Sequence, residues 1–142
     1  MNITPELKIY ALCTVILFYK MWGTGLYQAL SRVKAKKFTN EEDAKSFGGE
    51  LSDKEIPQIE KAYKAYRNDF ENIPPFLFMG ICYVLLGCWP KGAFIYFPLF
   101  TVARIGHTVF YIKSNQPLRS LCYGIGLMAT IAVSVHVFIN SF

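Results

Sequence analysis

Four apolar stretches, Ile9–Leu30, Ile73–Trp89, Gly92–Ile112 and Ser120–Phe142, fill most of a chain of 142 residues. A helix crosses the hydrocarbon core of a bilayer with about 20 mostly apolar residues, so each stretch is close to the needed length. A soluble helix of that length would carry an exposed charged face, and the third and fourth stretches offer almost none. The first stretch is a poor secretory signal, because only Lys8 precedes it and no small-residue cleavage site follows. The sequence therefore predicts an all-α integral membrane four-helix bundle, a single transmembrane domain over residues 1–142 with no separate soluble domain. The expected spans are 9–30, 73–89, 92–112 and 120–140, with a polar loop at 31–56 and a juxtamembrane helical extension at 57–72.

Within the third stretch stands one arginine, Arg104, followed by His107, Thr108 and Tyr111. At about 100° per residue these side chains fall within one sector of a helix and form a polar stripe. A charge at that depth costs about 2.5–3.5 kcal/mol on insertion scales, so a partner or a bound ligand is expected to compensate it.

Basic residues set the orientation. The connection from Ser31 to Phe70 holds Arg32, Lys34, Lys36, Lys37, Lys45, Lys54, Lys61, Lys64 and Arg67, and the connection after the third stretch adds Lys113 and Arg119. Both are expected on the cytosolic side, where cations at a helix C-terminus also meet lipid phosphates. No nucleic-acid partner is expected. The four cysteines, Cys13, Cys82, Cys88 and Cys122, lie in or beside apolar stretches, read as buried thiols, and lack metal-ligand spacing.

Local signals divide the rest. Asn40-Glu41-Glu42-Asp43 resembles a helix cap and Gly48-Gly49 a turn. Pro57 suits the first turn of a helix running past Pro74-Pro75, with a kink there, to about Gly87. The tight segment Gly87–Gly92 makes the second and third spans antiparallel neighbours, and Gln116-Pro117 opens the fourth.

Glu60, Lys64, Arg67 and Glu71 recur on one helical face with Asn68 beside them. Alone they read as exposed ion pairs worth tenths of a kcal/mol. At the mouth of the membrane they gain weight, because Arg32, Arg67 and Arg119 would stand in the cytosolic halves of their helices, with Arg104 about two turns deeper and within reach of a long side chain. Arg119, Ser120 and Tyr123 share a second face, and His136, near the far end of the last stretch, reads as a packing residue. Guanidiniums, one carboxylate and several hydroxyls suit a small polyanion with carboxylates, and glutathione fits, its amine held by Glu71.

The run from Glu60 to Leu77, EKAYKAYRNDFENIPPFL, together with Phe38–Ala44 (FTNEEDA) and Ala103–Tyr111 (ARIGHTVFY), resembles the family of membrane-associated proteins in eicosanoid and glutathione metabolism. The likeness extends from about Lys20 to Tyr123 and points to the branch of glutathione transferases and prostaglandin E synthases. The resemblance implies a homotrimer in the endoplasmic reticulum or outer mitochondrial membrane, with glutathione bound between subunits. It assigns glutathione contacts to Arg32, Arg67, Asn68, Glu71, His107, Tyr111, Arg119 and Tyr123, with Arg104 in the same pocket. Ser120 matches a hydroxyl that activates the thiol in the synthases, with Arg119 beside it, and Asp43 matches an acidic position assigned a part in that reaction. Tyr66 departs from the His usual there, and Pro74 adds a second proline.

Four functions follow in order. The first is a glutathione transferase with peroxidase activity, taking lipophilic substrates from the bilayer. The second is a glutathione-dependent prostaglandin E synthase, and the third a non-catalytic lipid-binding scaffold. An ion channel would need polar faces through the full bilayer depth, which the fourth stretch lacks.

Overall fold

Each long helix begins with proline in its first turn, at Pro5, Pro57, Pro90 and Pro117, where the missing N–H costs nothing. Two starts add a side-chain cap: Thr4 Oγ1 accepts from the Leu7 amide at 3.2 Å, and Asn115 Oδ1 accepts from that of Leu118 at 3.3 Å. The computed structural model describes residues 3–142. In chain order it contains α1 (Pro5–Ala35), β1 (Lys37–Phe38), α2 (Glu41–Phe47), β2 (Glu50–Leu51), α3 (Pro57–Leu85), α4 (Pro90–Ile112) and α5 (Gln116–Ile139).

The expected loop is more structured than its composition suggested. α1 continues past Leu30 to Ala35, since no breaker intervenes and Arg32 and Lys34 suit a helix C-terminus. Lys36 then turns left-handed (φ 52°), and β1 pairs in parallel with β2. α2 lies between the strands, its first turn carrying Glu41, Glu42 and Asp43 where the dipole favours anions. Phe38 is buried and stacks on Phe47, with ring centroids 5.8 Å apart. Gly49 is required beside them, because a Cβ there would sit 2.7 Å from the Lys36 carbonyl oxygen. Two-residue strands give no run for a period-2 pattern to declare itself.

By length and composition, three of the described helices can cross a membrane: α1, α4 and α5. α3 does not meet that measure, because its first half carries Glu60, Lys61, Lys64, Arg67, Asp69 and Glu71. It runs unbroken through Pro74 and Pro75. Only about a sixth of the apolar windows of α1 and α5 is buried within the chain, at 17% each, so these helices present apolar surface outward.

α1, α3, α4 and α5 pack around an aromatic core in which Phe76 stacks on Phe100 at 3.6 Å and meets Phe97 edge-on at 6.0 Å. Toward the far end, His136 sits among Tyr83, Trp89 and Tyr96, with its Nε2 3.4 Å from the Tyr96 hydroxyl, a packing position as expected. Cys13 and Cys88 are buried, whereas Cys82 is exposed and Cys122 half-buried. The expectation of buried thiols therefore fails for Cys82, which faces outward from α3.

α4 and α5 approach closely where Gly106 meets Cys122, since a Cβ on Gly106 would lie 2.8 Å from Cys122 Sγ. Gly106→Val is expected to cost about 1–3 kcal/mol through overpacking. Thermal unfolding in detergent should show a midpoint several degrees lower, and an unchanged midpoint would mean that the two helices separate freely there.

Candidate active site

The charge that the apolar third stretch could not hide is paired inside the bundle. Arg104 is fully buried, and its Nη1 donates to Asn68 Oδ1 at 2.8 Å. Its guanidinium carbon lies 5.4 Å from the Phe100 ring centre and 5.6 Å from that of Tyr123. Gly126 makes room beside it: a Cβ there would stand 3.2 Å from Nη2. One residue along α3, Asp69 Oδ2 accepts from Lys20 Nζ on α1 and from Thr108 Oγ1 on α4, the latter at 3.1 Å. Asp69 is the only buried carboxylate among the described residues, set against the two cations Lys20 and Arg104. Asp69 Oδ1, Arg104 Nε and Nη2, and His107 Nδ1 have no hydrogen-bond partner among the described residues.

Above this layer is a cleft of about 280 Å3 lined by Asn68, His107, Tyr111, Arg119, Ser120 and Tyr123. Its walls come from α3, α4 and α5. Arg119 on the first turn of α5 lies over the Tyr111 ring on the last turn of α4, 4.5 Å from its centre. The His107 ring is 5.7 Å from Tyr111 and 6.3 Å from Tyr123. Lys61 Nζ donates to Ser114 Oγ at 2.6 Å, tying the start of α3 to the α4–α5 turn that carries these groups. The lining thus combines a cation, three hydroxyls, an amide and an imidazole, a donor set suited to carboxylates and to a thiolate.

Other residues expected in the site stand apart from that lining within one chain. Arg32 is paired with Glu55, its Nε donating at 2.8 Å. Arg67 and Glu71 pair with each other along α3 at 3.3 Å and remain exposed. Asp43 lies on α2 and faces Asn40 Nδ2 at 3.4 Å. Glu60 and Lys64 pair at 2.6 Å; the hydrogen bond from Lys64 holds the Glu60 carboxyl below its ordinary pKa and raises that of Lys64. Arg104 lies behind Asn68 rather than on the cleft wall.

Comparison with known proteins decides the family, because the model for the MAPEG family matches residues 9–139. The chain belongs to the MAPEG family. This MAPEG chain is 35% identical to prostaglandin E synthase of Homo sapiens over 135 residues, 94% of this chain and 89% of that one. It is 35% identical to the Rattus norvegicus prostaglandin E synthase over 138 residues, 96% and 90% of the two chains. It is also 36% identical to microsomal glutathione S-transferase 1 of Homo sapiens over 130 residues, 88% and 84% of the chains. Both kinds of relative are enzymes, in agreement with the expectation of an enzyme.

Two residues of the MAPEG chain's buried layer escaped the sequence reading as site residues: Lys20 and Asp69. The cue was present, since Lys20 is the lone charge in the first apolar stretch, as Arg104 is in the third. An intramembrane cation calls for a named partner.

Proposed function

We propose that this chain is a microsomal glutathione transferase that activates the glutathione thiol for conjugation to lipophilic electrophiles and for reduction of lipid hydroperoxides. The observation that carries this reading is the gathering of Asn68, His107, Tyr111, Arg119, Ser120 and Tyr123 around one cleft. Glutathione supplies a nucleophilic sulfur and two carboxylates, and the donor set fits both. Arg119 offers the fixed charge that favours a thiolate over a thiol, and the Ser120 hydroxyl offers a charge-assisted hydrogen bond. Tyr111 holds the Arg119 guanidinium by stacking, which limits its rotamers.

The reading extends to assembly. We infer four membrane spans, the fourth being the second half of α3. Just before it, Asn68 and Asp69 reach the packed bundle by pairing with Arg104 and Lys20 instead of by being apolar. A homotrimer in the endoplasmic reticulum, or the outer mitochondrial membrane, with the cleft toward the cytosol would bring Arg32, Arg67, Glu71 and Asp43 of one subunit near the cleft of the next. The apolar faces of α1 and α5 supply the surfaces for lipid and neighbouring subunits.

A second reading, a glutathione-dependent prostaglandin E synthase, is favoured by one specific feature, the Ser120 hydroxyl on the cleft wall beside Arg119. The deciding experiment offers the purified protein glutathione with an aryl halide, a lipid hydroperoxide and a prostaglandin endoperoxide in parallel. Turnover of the first two supports the transferase. Ser120→Ala is expected to lower endoperoxide isomerisation about 100-fold and conjugation much less, given that one stabilising donor contributes about 10²–10³. Equal losses would remove Ser120 as a discriminator. Absence of both glutathione binding and an ultraviolet thiolate band in folded protein would leave the non-catalytic scaffold.

A further inference from the structure

We propose that Lys20, Asp69, Thr108 and Arg104 are positioning residues for Asn68, turning its side-chain NH2 into the cleft as a donor to an anionic group of the ligand. Only the identity of that anion rests on the glutathione reading above.

Arginine donates and never accepts, so the Asn68 atom facing Arg104 Nη1 at 2.8 Å is its carbonyl oxygen. The amide nitrogen must then point the other way, and Asn68 lines the cleft. Asn68 Nδ2 makes no hydrogen bond to any described residue, so this donor is left for a ligand.

What holds this arrangement is a pair of rungs between α3 and α4. Asn68 and Asp69 are consecutive on α3, while Arg104 and Thr108 are one turn apart on α4. Arg104 bonds Asn68, and Thr108 bonds Asp69. Neighbouring residues on a helix diverge by about 100°, so two simultaneous rungs fix the rotation of α3 about its axis. Lys20 adds a third strut from α1 onto the same Asp69 oxygen. The stacking of Arg104 between Phe100 and Tyr123 fixes the guanidinium itself. Arg104 thereby acts on a ligand through Asn68 and not by touching it.

The test is a double-mutant cycle in full-length, detergent-solubilised protein, with Asn68→Ala and Arg104→Leu, reading glutathione dissociation constants by calorimetry. Each single change is expected to weaken binding about 10-fold, and the pair no more than about 3-fold beyond Asn68→Ala alone, because one acts through the other. Additive losses near 100-fold would overturn the proposal. A companion measurement covers the case in which Arg104→Leu does not fold. Asn68→Asp keeps an acceptor for Arg104, so it should melt at or above the wild-type temperature while losing at least about 30-fold in glutathione affinity. Asn68→Leu, which orphans a further guanidinium nitrogen, should melt several degrees lower. Normal affinity in Asn68→Asp, or a melting point well below wild type, overturns the proposal. If the wild type binds no glutathione, the ligand reading falls by itself, and the melting order of the two Asn68 variants decides the geometry.

Discussion

Asp69→Leu is expected to destabilise the protein severely, lowering both its folded yield and its thermal midpoint. Asp69 is the one buried carboxylate among the described residues, and it faces Lys20 directly with Arg104 on the next rung. Lys20 lies 15 residues before the end of α1, about 22 Å along the axis, too far for its side chain to reach that end of the helix. Removing Asp69 would strand that ammonium, at a cost of about 3–5 kcal/mol for breaking a buried pair. Total stabilities run to about 5–15 kcal/mol, so the loss is severe. Lys20→Met combined with Asp69→Leu should restore most of it, since apolar groups of similar volume replace a buried pair at little cost. Yield of folded protein by size exclusion, together with thermal midpoints in detergent, reads both outcomes. A single Asp69→Leu variant melting within two or so degrees of wild type would mean that Lys20 finds another partner.

The long helices were legible because their signals are local. Pro57 and Gln116-Pro117 mark helix starts whatever the chain does elsewhere, and the apolar runs of α1, α4 and α5 exceed what a soluble helix tolerates. The segment between α1 and α3 was harder. Its cap at Asn40 and turn at Gly48 were visible, but the parallel pairing of Lys37–Phe38 with Glu50–Leu51 depends on a contact across thirteen positions that two-residue strands cannot announce.

The candidate site divides in the same way. Helical period put His107 and Tyr111 on one face of α4 and Arg119 and Tyr123 on one face of α5, while joining the two faces in one site was what the family resemblance implied. The depth of Arg104 was also plain from the sequence. That it would be shielded by Asn68, with Asp69 taken up by Lys20 and Thr108, was not, because it depends on the rotation of α3 against two other helices. Arg32 illustrates the converse: its charge and position suggested the cleft, while within one chain Glu55 claims it.

Arg119→Ala should produce the largest functional loss of any single change on the cleft wall. Arg119 is the one cation among the cleft's lining residues, and its guanidinium carbon lies 4.5 Å from the Tyr111 ring centre. Arg119 is half-exposed in the open cleft, and a bound ligand would bury its charge pair; truncating one partner of such a hydrogen-bonded pair costs about 2–5 kcal/mol, which corresponds to about 30- to 4000-fold in dissociation constant. Glutathione affinity should therefore fall by about two to three orders of magnitude, and the thiolate absorbance at neutral pH should disappear. Arg119→Lys keeps the charge but loses the planar fork and the stacking, so it should recover part of the affinity and little of the thiolate. Because Arg119 makes no ion pair among the described residues, the melting temperature should change little in either variant. A large fall in melting temperature with preserved affinity would identify Arg119 as a strut between α4 and α5 and place the anion site elsewhere.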